Sequence, residues 1–222
     1  MTPFILNYIL ICLLFYIIGS IPSAYLIVRS RKIDITKAGS GNVGALNSYE
    51  VTKSKTIGIL VLVLDFLKGF IPAFLLAKII LLPLSLAIFP LLLLVAGHNF
   101  SVWIKFKGGR GLATTAGIFV VVNFWLFIIW GVLFLVIFAV RRNVHIGNIA
   151  ATVLMPLVTI FISDFIVKYN YDFGLYNDDV HYNFNLLFTL SASVCILILI
   201  KHIKPLIELI RETKNKKEII NE

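Results

Sequence analysis

The chain has 222 residues, of which 59% are hydrophobic and only 14% charged, and its 20 Lys and Arg outnumber 11 Asp and Glu. Soluble domains are about half apolar and about a quarter charged, so a mean hydropathy of +0.97 excludes an ordinary soluble globule and points to a polytopic membrane protein. Cys12 and Cys195 both lie in apolar runs, with neither metal-ligand nor disulfide-framework spacing. The first apolar run is too long, and its start too poor in basic residues, for a cleavable signal peptide.

Phe4–Val28 predicts a first span, closed by Arg29, Arg31 and Lys32. A polar linker to Lys55 follows, then a second span over Thr56–Ile80 and a shorter one over Pro83–Gly97. His98–Gly111 is polar and basic, and Leu112–Val140 is apolar apart from Thr114, Thr115 and Asn123. Ile146–Val167 is a further span, Lys168–Asn185 a polar insertion, and Leu186–Ile200 the last span. The organisation expected is one membrane-embedded domain over 1–203 and a charged cytoplasmic tail over 204–222.

The run 112–140 decides the span count. As one helix it would extend about 44 Å, against a hydrocarbon core of about 30 Å. If it crosses twice, every Lys and Arg except Lys68, Lys78 and Lys168 falls on one side, as the positive-inside rule favours. The fold class expected is therefore all-α, with about seven transmembrane helices, the N-terminus outside and the C-terminus cytoplasmic. One or both halves of 112–140 are expected to be short or tilted.

Two polar loops then share the cytoplasmic face. The first is Lys37-Ala38-Gly39-Ser40-Gly41-Asn42-Val43-Gly44-Ala45-Leu46-Asn47, and the second is Lys105-Phe106-Lys107-Gly108-Gly109-Arg110-Gly111. Such backbone needs water, protein or a ligand as partner, and successive N–H groups in glycine turns form nests for anions. Gly39, Gly41 and Gly44 match G-x-G-x-x-G, but with membrane helices on both flanks there is no βαβ unit for a dinucleotide. Basic side chains beside exposed amides make a phosphate-sized site. A flexible loop whose cations meet lipid headgroups is an equal alternative. Asp65 and Lys68 share a helix face within a span, as a structural ion pair or as part of a site. His98 and His202 end spans, where a satisfied interfacial histidine is the commoner role. No metal cluster, cofactor motif or Ser-His-Asp order is readable, and no nucleic-acid partner is expected.

Together these residues carry a resemblance. Gly19-Ser20-Ile21-Pro22, the first loop with Asn47, Leu64-Asp65-Phe66-Leu67-Lys68-Gly69, Gly97-His98, and Phe106-Lys107-Gly108-Gly109 with Gly111, Ala113 and Thr114 resemble the bacterial acyl-phosphate:glycerol-3-phosphate acyltransferase family. The similarity runs from about residue 10 to 150 and returns at His202. It implies transfer of a fatty acyl group from acyl phosphate to glycerol 3-phosphate, giving lysophosphatidate, in a bacterial cell membrane and without cofactor or metal. It implies Ser40, Asn42, Asn47 and His202 as catalytic residues. Gly41, Gly44, Lys107, Gly108, Gly109, Arg110 and Gly111 would bind phosphate, with Asp65, Lys68, His98 and His145 as further candidates. A peripheral acyl-phosphate synthase is the partner implied. The chain departs from the family pattern at Glu50, where an Arg is usual, at Arg110 for a Lys, at His145 for a Ser and at Pro205 for an Asn. A relative that only binds lipid precursors or a protein partner is the second reading, and a small anion transporter the third.

Overall fold

The computed structural model describes residues 3–168 and 180–221. The helices in chain order are α1 Pro3–Ser20, α2 Ser23–Arg29, α3 Ala45–Thr52, α4 Lys55–Phe74, α5 Leu84–Asn99, α6 Leu112–Val122, α7 Phe124–Arg141, α8 Val144–Phe161, α9 Ser163–Lys168 and α10 Val180–Asn221. There is no strand among the described residues. Among the described residues six helical stretches are long and apolar enough to cross a membrane, and α6 is a shorter apolar helix.

The predicted first span is broken. After Ser20 the helix stops, Pro22 removes an N–H, and α2 restarts at Ser23. In a bilayer the freed backbone must find partners within the protein. Lys68 supplies one, its Nζ donating to the Ile21 carbonyl at 3.1 Å. Pro72 similarly disturbs α4, which continues as a π-helical turn over Leu75–Ile79.

The run 112–140 divides at Asn123, which is 1% exposed. Its Oδ1 accepts from the N–H groups of Trp125 and Leu126 at 3.1 and 3.3 Å, capping α7, and its Nδ2 donates to the Ile166 carbonyl at 3.2 Å. Arg110, just before α6, contacts His145, at the start of α8. The chain therefore leaves this region through α6 and comes back to it through α7. Of the expected insertion 168–185, residues 169–179 lie outside the described residues, and 180–185 already belong to α10. That helix carries on through Pro205, so the last span does not stop at Ile200.

Helix pairs approach closely through glycine. A side chain at Gly19 would overlap the Leu94 carbonyl and one at Gly97 the Tyr16 carbonyl, joining α1 to α5. Gly69 and Gly117 do the same between α4 and α6. One core cluster fills the bundle around Leu91, Leu94, Ile118, Met155 and Leu190. A smaller one, with Val28, Ile35, Val43, Ile57 and Val61, lies under the first loop and fixes it to α2 and α4.

Candidate active site

The first loop is built around Asn47, in the first turn of α3. This side chain is 1% exposed. Its Nδ2 donates to the carbonyls of Asn42 at 2.9 Å and Ala38 at 3.1 Å, with a longer 3.4 Å contact to Ile35, while its Oδ1 accepts from the Ser40 N–H at 3.1 Å. One amide thus does the backbone pairing that regular structure would do elsewhere. Gly39 and Gly41 take φ of +57° and +70°, the left-handed region that glycine enters without steric cost.

The second loop lies against the end of α5. The Gly109 N–H donates to the His98 carbonyl at 3.1 Å. A Cβ on Gly109 would overlap the His98 ring and the Val43 carbonyl, and one on Gly108 the carbonyls of His98 and Asn99. The glycines therefore serve close backbone approach. The Val43 N–H reaches the Gly108 carbonyl at 3.4 Å, which ties the two loops together.

Between them opens a polar cavity of about 400 Å³. The first loop lines it with Thr36, Ser40, Gly41 and Asn42, the second with Lys107, Gly108 and Arg110, and α8 with His145. Helix α10 closes it with Ile200, Lys201, Lys204, Pro205 and Glu208. Four cations face one carboxylate. Glu208 pairs with Lys204 at 3.9 Å, both well exposed. The Lys201 Nζ stands 4.8 Å from the centroid of the Phe100 ring, a cation–π seat. Burial pushes the Arg110 guanidinium below its usual value, opposed by Glu208 and Glu50, and an arginine stays charged under any such shift. Glu50 itself is exposed on α3, outside the cavity wall.

Of the residues expected from sequence, Ser40, Gly41, Asn42, Lys107, Gly108, Arg110 and His145 meet here. Asn47, Gly44, Gly109 and Gly111 lie behind the wall. Asn47 braces the loop, so the structure gives its amide a scaffolding place instead of one that orients substrate. Gly44 precedes α3 in an extended conformation, and Gly111, at φ +80°, starts α6. Asp65, Lys68 and His98 form a separate group within the bundle. Lys68 Nζ is 2.7 Å from Asp65 Oδ1, and both side chains are buried. His98 Nδ1 stands 3.8 Å from the same oxygen, beyond hydrogen bonding. This pair secures the break in the first span.

His202 is 1% exposed and turned inward. Its Nδ1 lies 2.9 Å from the Ile198 carbonyl. A carbonyl only accepts, so Nδ1 carries the proton and Nε2 the lone pair. That Nε2 has no hydrogen-bond partner among the described residues. Lys201, Lys204 and Glu208 were not singled out from sequence. The signal was the spacing i, i+3, i+4, i+7 of 201, 204, 205 and 208, one face of a helix, hidden by reading the last span as ended at 200. A second, apolar groove of about 550 Å³ runs between α1, α2 and α4, lined by Ile11, Leu14, Leu64, Leu67 and Ile71.

The fold and this cavity define a class, an all-helical, multi-pass integral membrane protein with a cationic cavity at one end of its bundle. Residues 9–212 match the model of the glycerol-3-phosphate acyltransferase family, and the chain belongs to that family. It is 34% identical over 202 residues to the glycerol-3-phosphate acyltransferase of Fusobacterium nucleatum, covering 90% of this chain and 93% of the relative. It is 33% identical to that of Wolbachia sp. subsp. Brugia malayi, covering 93% and 97%. Among solved structures it resembles PlsY, an integral membrane glycerol 3-phosphate acyltransferase. The TM-score is 0.74 for the glycerol 3-phosphate form and 0.73 for the lysophosphatidic acid form, each at 28% identity and 93% coverage of both chains.

Proposed function

We propose that the protein acylates glycerol 3-phosphate from a fatty acyl phosphate, releasing phosphate and lysophosphatidate. The observation that carries this is the cavity of about 400 Å³, where cations from two elements, the second loop and α10, converge on a space with room for phosphate-bearing ligands. Lys107, Arg110 and Lys201 are the residues to hold phosphate groups, while Ser40 and Asn42 orient the acceptor hydroxyl. That hydroxyl attacks the acyl carbonyl carbon, the bond from this carbon to the phosphate oxygen breaks, and phosphate leaves. The proton given up by the hydroxyl passes to the leaving phosphate, while His202, buried behind the cavity wall, supports α10 from within. A mixed anhydride is already activated, so positioning and stabilisation of developing charge suffice without a covalent intermediate. The apolar groove offers lipid-like surface for an alkyl chain.

The charge distribution supports an orientation with this face in the cytoplasm, and the bacterial relatives support a bacterial cell membrane, where a peripheral acyl-phosphate synthase would supply the donor. The test is the purified full chain with palmitoyl phosphate and radiolabelled glycerol 3-phosphate. Labelled lysophosphatidate is expected. Binding of glycerol 3-phosphate without any product would support the precursor-binding reading instead.

A further inference from the structure

Arg110 Nη1 lies 3.0 Å from His145 Nδ1. A guanidinium has donors only. His145 Nδ1 must therefore accept, which places the imidazole in its neutral form with the proton on Nε2. The two residues come from different elements, the second loop and the first turn of α8. Asn143 fixes that turn, its Oδ1 accepting from the N–H groups of His145 at 2.9 Å and Ile146 at 3.0 Å. The acceptor is thus set on a capped helix, while the cation sits on a loop.

We propose that His145 is a positioning residue for the phosphate site, a neutral acceptor that holds the Arg110 guanidinium in place with its full charge available to the substrate. This rests on reading the cavity as a phosphate site. The choice of acceptor has a physical consequence. A carboxylate would orient the guanidinium equally well but would cancel the charge that attracts an anion. An imidazole does the first without the second. Two carboxylates, Glu208 on α10 and Glu50 on α3, act electrostatically on Arg110, and a tether at Nη1 keeps the guanidinium from turning towards either. An arginine held through one donor keeps four more N–H groups in a fixed fork, so less rotamer freedom is lost when phosphate binds.

The experiment is calorimetric titration of the purified full chain with glycerol 3-phosphate, repeated with inorganic phosphate, alongside steady-state acyl transfer. His145→Leu is expected to weaken glycerol 3-phosphate binding about tenfold, which is about 1.4 kcal/mol, and to raise KM more than it lowers kcat. His145→Asn, whose Oδ1 can accept the same N–H, should recover most of the loss. In an Arg110→Ala background His145→Leu should add less than about twofold, because no guanidinium is left to hold. Equal penalties in both backgrounds, or an Asn variant no better than Leu, would overturn the positioning role. If the Leu variant does not fold, His145→Ser, too short to reach Arg110, takes its place. A wild-type chain that binds neither ligand would instead remove the phosphate-site reading, and the positioning role with it.

Discussion

Ser40 and Asn47 belong to one motif but occupy different places, one on the cavity wall and one within the loop. Ser40 lines the cavity, whereas Asn47 spends its amide on the loop backbone. Asn47→Ala strands buried backbone groups, at about 1–3 kcal/mol for each group left unsatisfied. A lowered thermal midpoint in detergent is expected, together with more than about tenfold loss of transfer. Ser40→Ala should reduce turnover and leave the midpoint in place. A midpoint shift of equal size in both variants would contradict this division. Gly109→Ala belongs with Asn47, since its Cβ meets the His98 ring and the Val43 carbonyl, and its loss should appear in stability as well as activity. The sequence read by itself made both loops legible as polar, glycine-rich anion candidates. It could not separate Ser40 from Asn47, because both are small polar residues in one motif and only tertiary packing decides which one is turned inward.

At the scale of helices, breaks matter more than lengths. That the run 112–140 divides is legible from its length and the charges beyond it; the place of the division is not, although a lone Asn in an apolar run is a helix-start signal. The break after Ser20 was not read, although Pro22 carried it, because the flanking residues stay apolar and hydropathy alone sees one span. Its stabilising partner, the Asp65–Lys68 pair, was visible as an i, i+3 pair, but the carbonyl it serves lies 47 positions away in the chain. Removing one member of a buried pair costs about 3–5 kcal/mol, whereas removing both can be close to neutral. Lys68→Met should therefore give poorly folded protein, and Asp65→Asn with Lys68→Met should recover part of the yield and midpoint. A double variant worse than the single one would show that the pair has no such role. The cavity-lining face of α10 is hidden in the sequence because Lys201, Lys204 and Glu208 look like the start of a charged tail.

Across the whole molecule, the contact between Arg110 and His145 places the starts of α6 and α8 at one end of the bundle. The N-terminus of α4 is expected at that end too, with the connection before α5 at the other. In intact cells, a cysteine at Leu81 should react with an impermeant maleimide, whereas cysteines at Ser54 and Arg142 should react only after permeabilisation. Labelling of Leu81 and Ser54 from the same side would overturn the topology. The native Cys12 and Cys195 are buried and give little background. One further property follows from α6. Its 11 residues reach about 16 Å, roughly half of a hydrocarbon core of about 30 Å. The turn at Asn123 is sealed within the protein, so protein, and not lipid, makes up the missing depth. Thinning of the bilayer is then not needed to accommodate the short helix, and little dependence on membrane thickness follows. Reconstituted into phosphatidylcholines of graded chain length, the protein should turn over at rates that stay within about twofold of one another, so that an enzyme of lipid synthesis would keep its rate as the thickness of the membrane it helps to make changes.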